Sequence, residues 1–233
     1  MSVKLNGIDI KTYGCILLEN YDIAVAEPKL KQIDIPGANG MLDITDQING
    51  LVAYSNRDIT MNFVKRTAVK KEWHEVYSDL ANAFHGKKVK VVFDNDATFY
   101  WTGRANVYAI KEGQQYSAIQ IVVNAEPFKY DVNSSGGDWL WDPFNFTRDI
   151  ARNYNNIEVD GYKEQRIIGT ELAVNPKITA SSSMTMTIDD DATIYNIQPG
   201  TKTYYNITVT NHEYIFKIKG NGTITFDMKG GSL

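Results

Sequence analysis

Residues 33–63, IDIPGANGMLDITDQINGLVAYSNRDITMNF, decide how the rest of the chain is read. Pro36-Gly37 and Asn39-Gly40 punctuate the front of the stretch, where proline fixes its φ and glycine supplies the positive φ of a tight turn. Asn49-Gly50 is a second turn signal. Beyond it Ile59, Met61 and Phe63 alternate with Asp58, Thr60 and Asn62, the period of a half-buried strand. No set of residues here suits a reaction. The stretch reads as sheet, with a long shaped excursion between its strands.

Upstream, residues 3–10 read as a strand or hairpin turning at Asn6-Gly7, a dipeptide suited to a two-residue loop. Residues 16–21 are a short apolar run. In 29–35, Leu30, Gln32 and Asp34 alternate with Lys31, Ile33 and Ile35. Downstream, from Thr67, the period changes. Val69, Trp73, Val76, Tyr77, Leu80 and Phe84 recur at spacings of three and four, the apolar face of an amphipathic helix, with Lys70, Lys71, Glu72, Glu75 and Asp79 opposite. Trp73 and Phe84 are expected as core anchors. Gly86 suits the residue just past the helix end, and Lys87 and Lys88 follow where the macrodipole favours cations. Residues 88–93 read as a strand, Asp94-Asn95-Asp96 as a turn and 98–104 as its hairpin partner. Residues 106–111 and 116–124 make a further hairpin around Glu112-Gly113. The first part is thus mostly β with one helix, a sandwich or partly closed barrel.

Asn133-Ser134-Ser135-Gly136-Gly137 is the strongest linker signal and divides the chain into domains 1–132 and 133–233. An aromatic cluster follows: Trp139, Trp141, Phe144 and Phe146. Tryptophans two apart on a strand face the same way, so Trp139 and Trp141 are candidates for interdomain packing, a partner contact or, least of the three, stacking on a sugar. Arg166-Ile167-Ile168 is strand-like. Met184, Met186 and Ile188 alternate with threonines, as do Tyr205, Ile207 and Val209. Tyr214, Phe216 and Ile218, then Ile224 and Phe226, flank Asn221-Gly222, a hairpin turn signal. No helical period occurs after residue 150. The second domain is expected to be an all-β sandwich of short strands.

The chain has 233 residues, with 43% hydrophobic and 22% charged, globular values that bury a core without covalent staples. A net charge of −4 with a pI near 5.4 argues against a nucleic-acid surface, which needs a basic stripe. The runs Lys65-Arg66 with Lys70-Lys71, and Lys87-Lys88 with Lys90, flank the one expected helix and read as solvated surface. Cys15 is the only cysteine, so no intramolecular disulfide forms, and a small packing residue is the expected role. The N-terminus lacks a signal peptide's apolar core and cleavage site, and no apolar run reaches the ~20 residues of a membrane span. A soluble product made in a cytoplasm is expected.

His74, His85 and His212 have no His or Cys at i+3 or i+4, so zinc spacing is absent. Nucleophile-elbow, Walker and dinucleotide-binding motifs are also missing. Asp189-Asp190-Asp191 lacks the spacing and glycine of a calcium loop and reads as a turn. No carboxylate pair stands out for glycoside hydrolysis. The residues alone therefore point to a structural or binding protein without cofactor or metal.

The motifs in order resemble one family. Ile35-Pro36-Gly37 and Gly40, then Leu42-Asp43-Ile44-Thr45, lead to Tyr54-Ser55-Asn56-Arg57 and an alternating strand. After them come the helix with Trp73, Phe84-His85-Gly86-Lys87, Asp94-Asn95-Asp96, Tyr100, Gly103-Arg104 and Glu126-Pro127-Phe128-Lys129-Tyr130. This order resembles the distal tail (Dit) proteins of long-tailed siphophages over about the first 130 residues, and more loosely beyond. The resemblance implies a non-enzymatic virion protein at the tail tip: a homo-hexameric ring joining tail tube protein to tail-tip or tail-associated proteins, with no nucleic acid or membrane insertion. It implies that the first domain forms the ring and that the second is a galectin-like sandwich. A closing heterologous interface needs arms that reach a neighbour, so 36–57 is the candidate ring contact, with Pro36, Gly37, Gly40, Leu42, Asn56 and Arg57 as its residues. The alternatives are a carbohydrate-binding β-sandwich acting in host adsorption, a tail-associated hydrolase, and a ring protein of a contractile tail.

Overall fold

The structure, a computed structural model, describes residues 1–47, 50–65, 70–112, 116–132 and 153–233. The linker 133–137, Trp139, Trp141, Phe144 and Phe146 lie outside the described residues, as do Arg66, Val69, Asn49 and Gly113 of the expected runs and turns. The chain is mainly β, with curled sheets and, among the described residues, one α-helix. It forms two compact units, 1–96 with 100–129, and 97–99 with 130–233.

In the first unit, β1 (Val3–Leu5) and β2 (Ile8–Asp9) form the expected hairpin. Asn6 and Gly7 both have positive φ, 52° and 82°, as a type I′ turn requires. A 3-10 turn, Ile10–Tyr13, leads to β3 (Ile16–Leu17) and β4 (Asp22–Ile23). Then come β5 (Gln32–Asp34), β6 (Met41–Asp43), β7 (Arg57–Val64), α1 (Lys70–Phe84), β8 (Lys88–Phe93), β9 (Phe99–Glu112) and β10 (Tyr116–Ala125). The main sheet runs β2-β1-β8-β9-β10-β7-β3, with β4 also on β7. Its inner face carries Ile59, Met61 and Phe63 from β7, Val89 and Val91 from β8, and Ile119, Ile121 and Val123 from β10. Trp73, Val76, Leu80 and Phe84 of α1 close over that face, at the helical spacing read from the sequence. The expected break within 98–111 does not occur: β9 is one strand of 14 residues, because Ala105 and Val107 keep the inward alternation through it.

The end of α1 is clamped to β9. Gly86, at φ +71°, donates its N–H to Ala105 O, and Ala105 returns its N–H to Lys87 O. Val107 N–H donates to His85 Nδ1 at 3.0 Å, and Arg104 Nη1 donates to Gly86 O. Lys87 Nζ reaches back to Asn82 O at 2.7 Å, satisfying a last-turn carbonyl that the helix leaves open. The sequence motifs around 84–87 and 103–104 are thus two sides of one joint.

Cys15 sits in this core, and burial pushes its thiol up to about 11. Only the thiolate is nucleophilic, so the native protein at pH 8 should resist a thiol reagent that titrates the one cysteine after denaturation. Native labelling at the rate of free cysteine would contradict this placement.

The second unit contains β11 (Lys129–Asp131) with β18 (Gly231–Ser232), β12 (Ile157–Ile168), β13 (Lys177–Ala180), β14 (Met184–Ile188), β15 (Tyr195–Ile197), β16 (Gly200–Thr203) and β17 (Glu213–Asp227). The order is β15-β14-β17-β13-β16, with β12 also on β17. Asn221-Gly222 is not a hairpin turn. β17 runs straight through it, pairing with β12 from Glu213 to Ile224. One half of β17 pairs with β14 (Met186 with Ile218) and the other with β13 (Ile178 with Phe226). Gly220 and Gly222, at φ +147° and +133°, let the connection 181–183 run close beside the strand in the register that β13 and β14 share, with Ser181 N–H on Thr223 O at 2.9 Å. A Cβ on Gly220 would lie 2.8 Å from Met184 Cγ, and one on Gly222 would strike Ser181 Oγ. Residues 205–209 are not a strand either: Tyr205 is 81% exposed, whereas Ile207 and Val209 are buried. The backbone turns at Tyr205-Asn206, so alternation there does not mean a common face.

Candidate assembly surface

The excursion of 33–63 is an arm. At its base Ala24 N–H bonds Asp58 O, Ser55 N–H bonds Glu27 O and Lys29 N–H bonds Ala53 O, at 2.8–3.0 Å, around an antiparallel bridge between Pro28 and Tyr54. Higher up, Ile44 N–H bonds Lys31 O, and β5 pairs with β6 through Gln32–Asp43, Ile33–Leu42 and Asp34–Met41. Thr45 knits the neck: its hydroxyl accepts from Lys31 N–H and donates to Asp43 Oδ1, which also accepts Thr45 N–H. These bonds hold the Asp43 carboxyl below the usual carboxylate range.

Pro36 and Gly37 form the tip. Ala38 N–H bonds Ile35 O at 3.0 Å and Gly37 has φ +84°, the type II arrangement of proline then glycine. Gly40, at φ +78°, feeds β6. Leu42 lies on β6 and is exposed, as are Pro36, Gly37 and Gly40. Residues paired across an antiparallel ladder share a face. Ile33, Ile35, Leu42 and Ile44 therefore line one side of the arm, with Gln32, Asp34, Met41 and Asp43 on the other. Ile33 is 45% and Leu42 48% exposed. All residues of β5 and β6 are exposed, and the pair forms a sheet of its own. An isolated two-stranded hairpin is marginal in water, and this one exposes Ile33, Ile35 and Leu42 on its aliphatic face, with Ile44 half-buried at the neck. Sequence reasoning leaves Ile33 and Ile35 outside the candidate segment 36–57 and does not single out Ile44 within it. Their signal is the alternation in 31–35, matched by that of 42–44 once the two strands are paired.

Asn56 and Arg57 stand at the root instead. Asn56 is exposed and its Nδ2 donates to Asn124 Oδ1 at 2.8 Å, while Asn124 Nδ2 donates to Asp58 Oδ1 at 2.9 Å. Tyr54 packs edge-on against Phe128, and Lys88 pairs with Glu126 at 3.0 Å. Arg57 is buried on the inner side of β7, its guanidinium 4.7 Å from the Trp101 ring centroid. As placed, it is not a surface group. The motifs at 54–57 and 126–128 are, like the helix joint, neighbours in space.

Residues weighed for chemistry are held in structural bonds. Asp189 accepts Ile215 N–H at 2.6 Å, Asp190 pairs with Lys217 at 2.9 Å and Asp191 accepts from Thr193. Asp189 and Asp190 lash the turn to β17, and Asp191 closes the turn on itself. Among the described residues, no group of three or more His, Cys, Asp or Glu is placed to hold a metal. Likewise, no described helix is long and apolar enough to cross a membrane.

No protein-family model matches the chain, and no curated protein matches it in sequence. Among solved structures, the Dit protein of phage SPP1 superposes with a TM-score of 0.65, covering 100% of this chain and 99% of that one, at 13% identity. That protein is described as a paradigm of the hub adsorption apparatus in phages infecting Gram-positive bacteria. The chain has the Dit fold throughout, at an identity where fold is what the likeness establishes.

Proposed function

We propose that this chain is a structural virion protein of a phage tail, a distal hub whose copies close into a ring of six between the tail tube and the tail tip. In this reading residues 1–132 build the ring and 133–233 form a galectin-like sandwich that projects from it. The tail tube protein docks on one side of the ring and tail-tip or tail-associated proteins dock on the other. The observation that carries the reading is the arm, a ribbon rooted by main-chain bonds whose aliphatic face stays exposed at Ile33, Ile35 and Leu42. A heterologous contact repeated around an axis closes into a ring and buries such a face on every copy. The full-length fold match to a hub protein supports the same reading.

The test is imaging. Negatively stained protein at rising concentration should show closed rings with six-fold averages. Dispersed particles of subunit size at every concentration, or open filaments, would contradict it.

A further inference from the structure

Among the described residues, Arg57 alone keeps buried side-chain nitrogens without a hydrogen-bond partner: Nε and Nη2 are sealed and meet no acceptor. The residue is 7% exposed and its cation rests on Trp101. One ring's attraction for a cation is smaller than the cost of stripping water from two charged donors that gain no acceptor. A methionine of similar length would pack on Trp101 without that cost. The single chain therefore gains little from the charge itself, and burial depresses the guanidinium's pKa for the same reason.

Arg57 also opens β7 directly behind the arm's returning leg. The arm carries a carboxylate without a partner. Asp34 lies opposite Met41, exposed, and its side chain makes no hydrogen bond or ion pair among the described residues. Asp34 stands beyond the Lys29–Ala53 pair at the base and Arg57 stands behind it, so roughly 30 Å of extended chain separates them.

We infer that Arg57 is the docking donor for Asp34 on the arm of a second copy, a guanidinium–carboxylate pair formed between chains when the ring closes. The inference rests on the ring reading above. Head-to-tail pairing of one chain's arm with the next chain's root is the heterologous contact that a ring repeats. Engagement needs the guanidinium to turn off Trp101, a rotamer change, after which its planar fork meets both carboxylate oxygens.

The experiment compares full-length wild type, Arg57→Met, Asp34→Asn and the double variant by melting temperature and sedimentation velocity. Arg57→Met should melt at or above the wild type and self-associate at least tenfold more weakly. Asp34→Asn, an exposed change that leaves the fold intact, should weaken association similarly, and the double variant should lose no more than the worse single one. Single variants that assemble like the wild type, losses that multiply in the double variant, or an Arg57→Met that only melts lower would each overturn the pair while leaving the ring reading standing. A wild type that stays monomeric at every concentration would overturn both.

Discussion

Replacing Ile33 and Leu42 together with aspartate should leave the subunit folded and remove its self-association. The two side chains face each other across the arm ladder and are 45% and 48% exposed. They contribute little to the core, which lies beneath the main sheet. Melting temperature should therefore move by no more than about 2 °C, the scale of an ordinary surface substitution. At a subunit contact the same positions matter far more. Burying the remaining aliphatic surface supplies about 1 kcal/mol per side chain, and a desolvated carboxylate in its place adds a penalty of several kcal/mol. Association per contact should weaken by a factor of about 100 or more. Sedimentation with a parallel thermal melt checks this. A double variant that assembles as the wild type does would remove the arm from the interface.

A large stability effect is expected at Gly103. It lies on the inner side of β9, paired with Val89 on one side and Ala125 on the other. A Cβ there would overlap Asn124 O and stand 2.5 Å from Ala125 Cα. Both are backbone atoms of β10, so no side chain can swing aside. Gly103→Val forces the strands apart beneath Arg57 and Trp101 and should cost about 3–5 kcal/mol, the upper range for overpacking. That corresponds to a melting temperature lower by about 10 °C or more. Gly222→Ala makes a useful contrast: its clash is with Ser181 Oγ, which can rotate, leaving mainly the strain of φ +133°. A Gly103→Val chain that melts like the wild type would show that β9 and β10 are not held this closely.

Much of this is legible in residue order. The type I′ hairpin at Asn6-Gly7, the face of α1 and its glycine stop follow from local rules that tertiary contacts here reinforce. Asn221-Gly222 misleads, and for a physical reason. A two-residue hairpin would put Ile218 opposite Thr225, and Ile224 opposite Lys219, splitting the apolar residues between faces. Phe216, Ile218, Ile224 and Phe226 all have even numbers, and all are buried. That parity fits one strand passing through two glycines, and it stands in the residue order itself. What fills the space at Gly220 and Gly222 does not, since the adjoining segment 181–184 is distant in sequence. Arg57 is hidden in the same way: Asn56-Arg57 reads as a candidate ring contact ahead of a strand, and nothing local announces that Trp101 waits 44 positions on. The arm is visible as an excursion, but its apolar face emerges only when register sets Ile33 beside Leu42.

The most direct test of the ring is the solution mass of the purified chain, by light scattering across a wide concentration range. A six-fold hub predicts a species at six times 26.3 kDa, growing in with concentration and absent from the Ile33/Leu42 double-aspartate variant. A mass of 26.3 kDa at every concentration, or an assembly that the arm variant forms equally well, would contradict it.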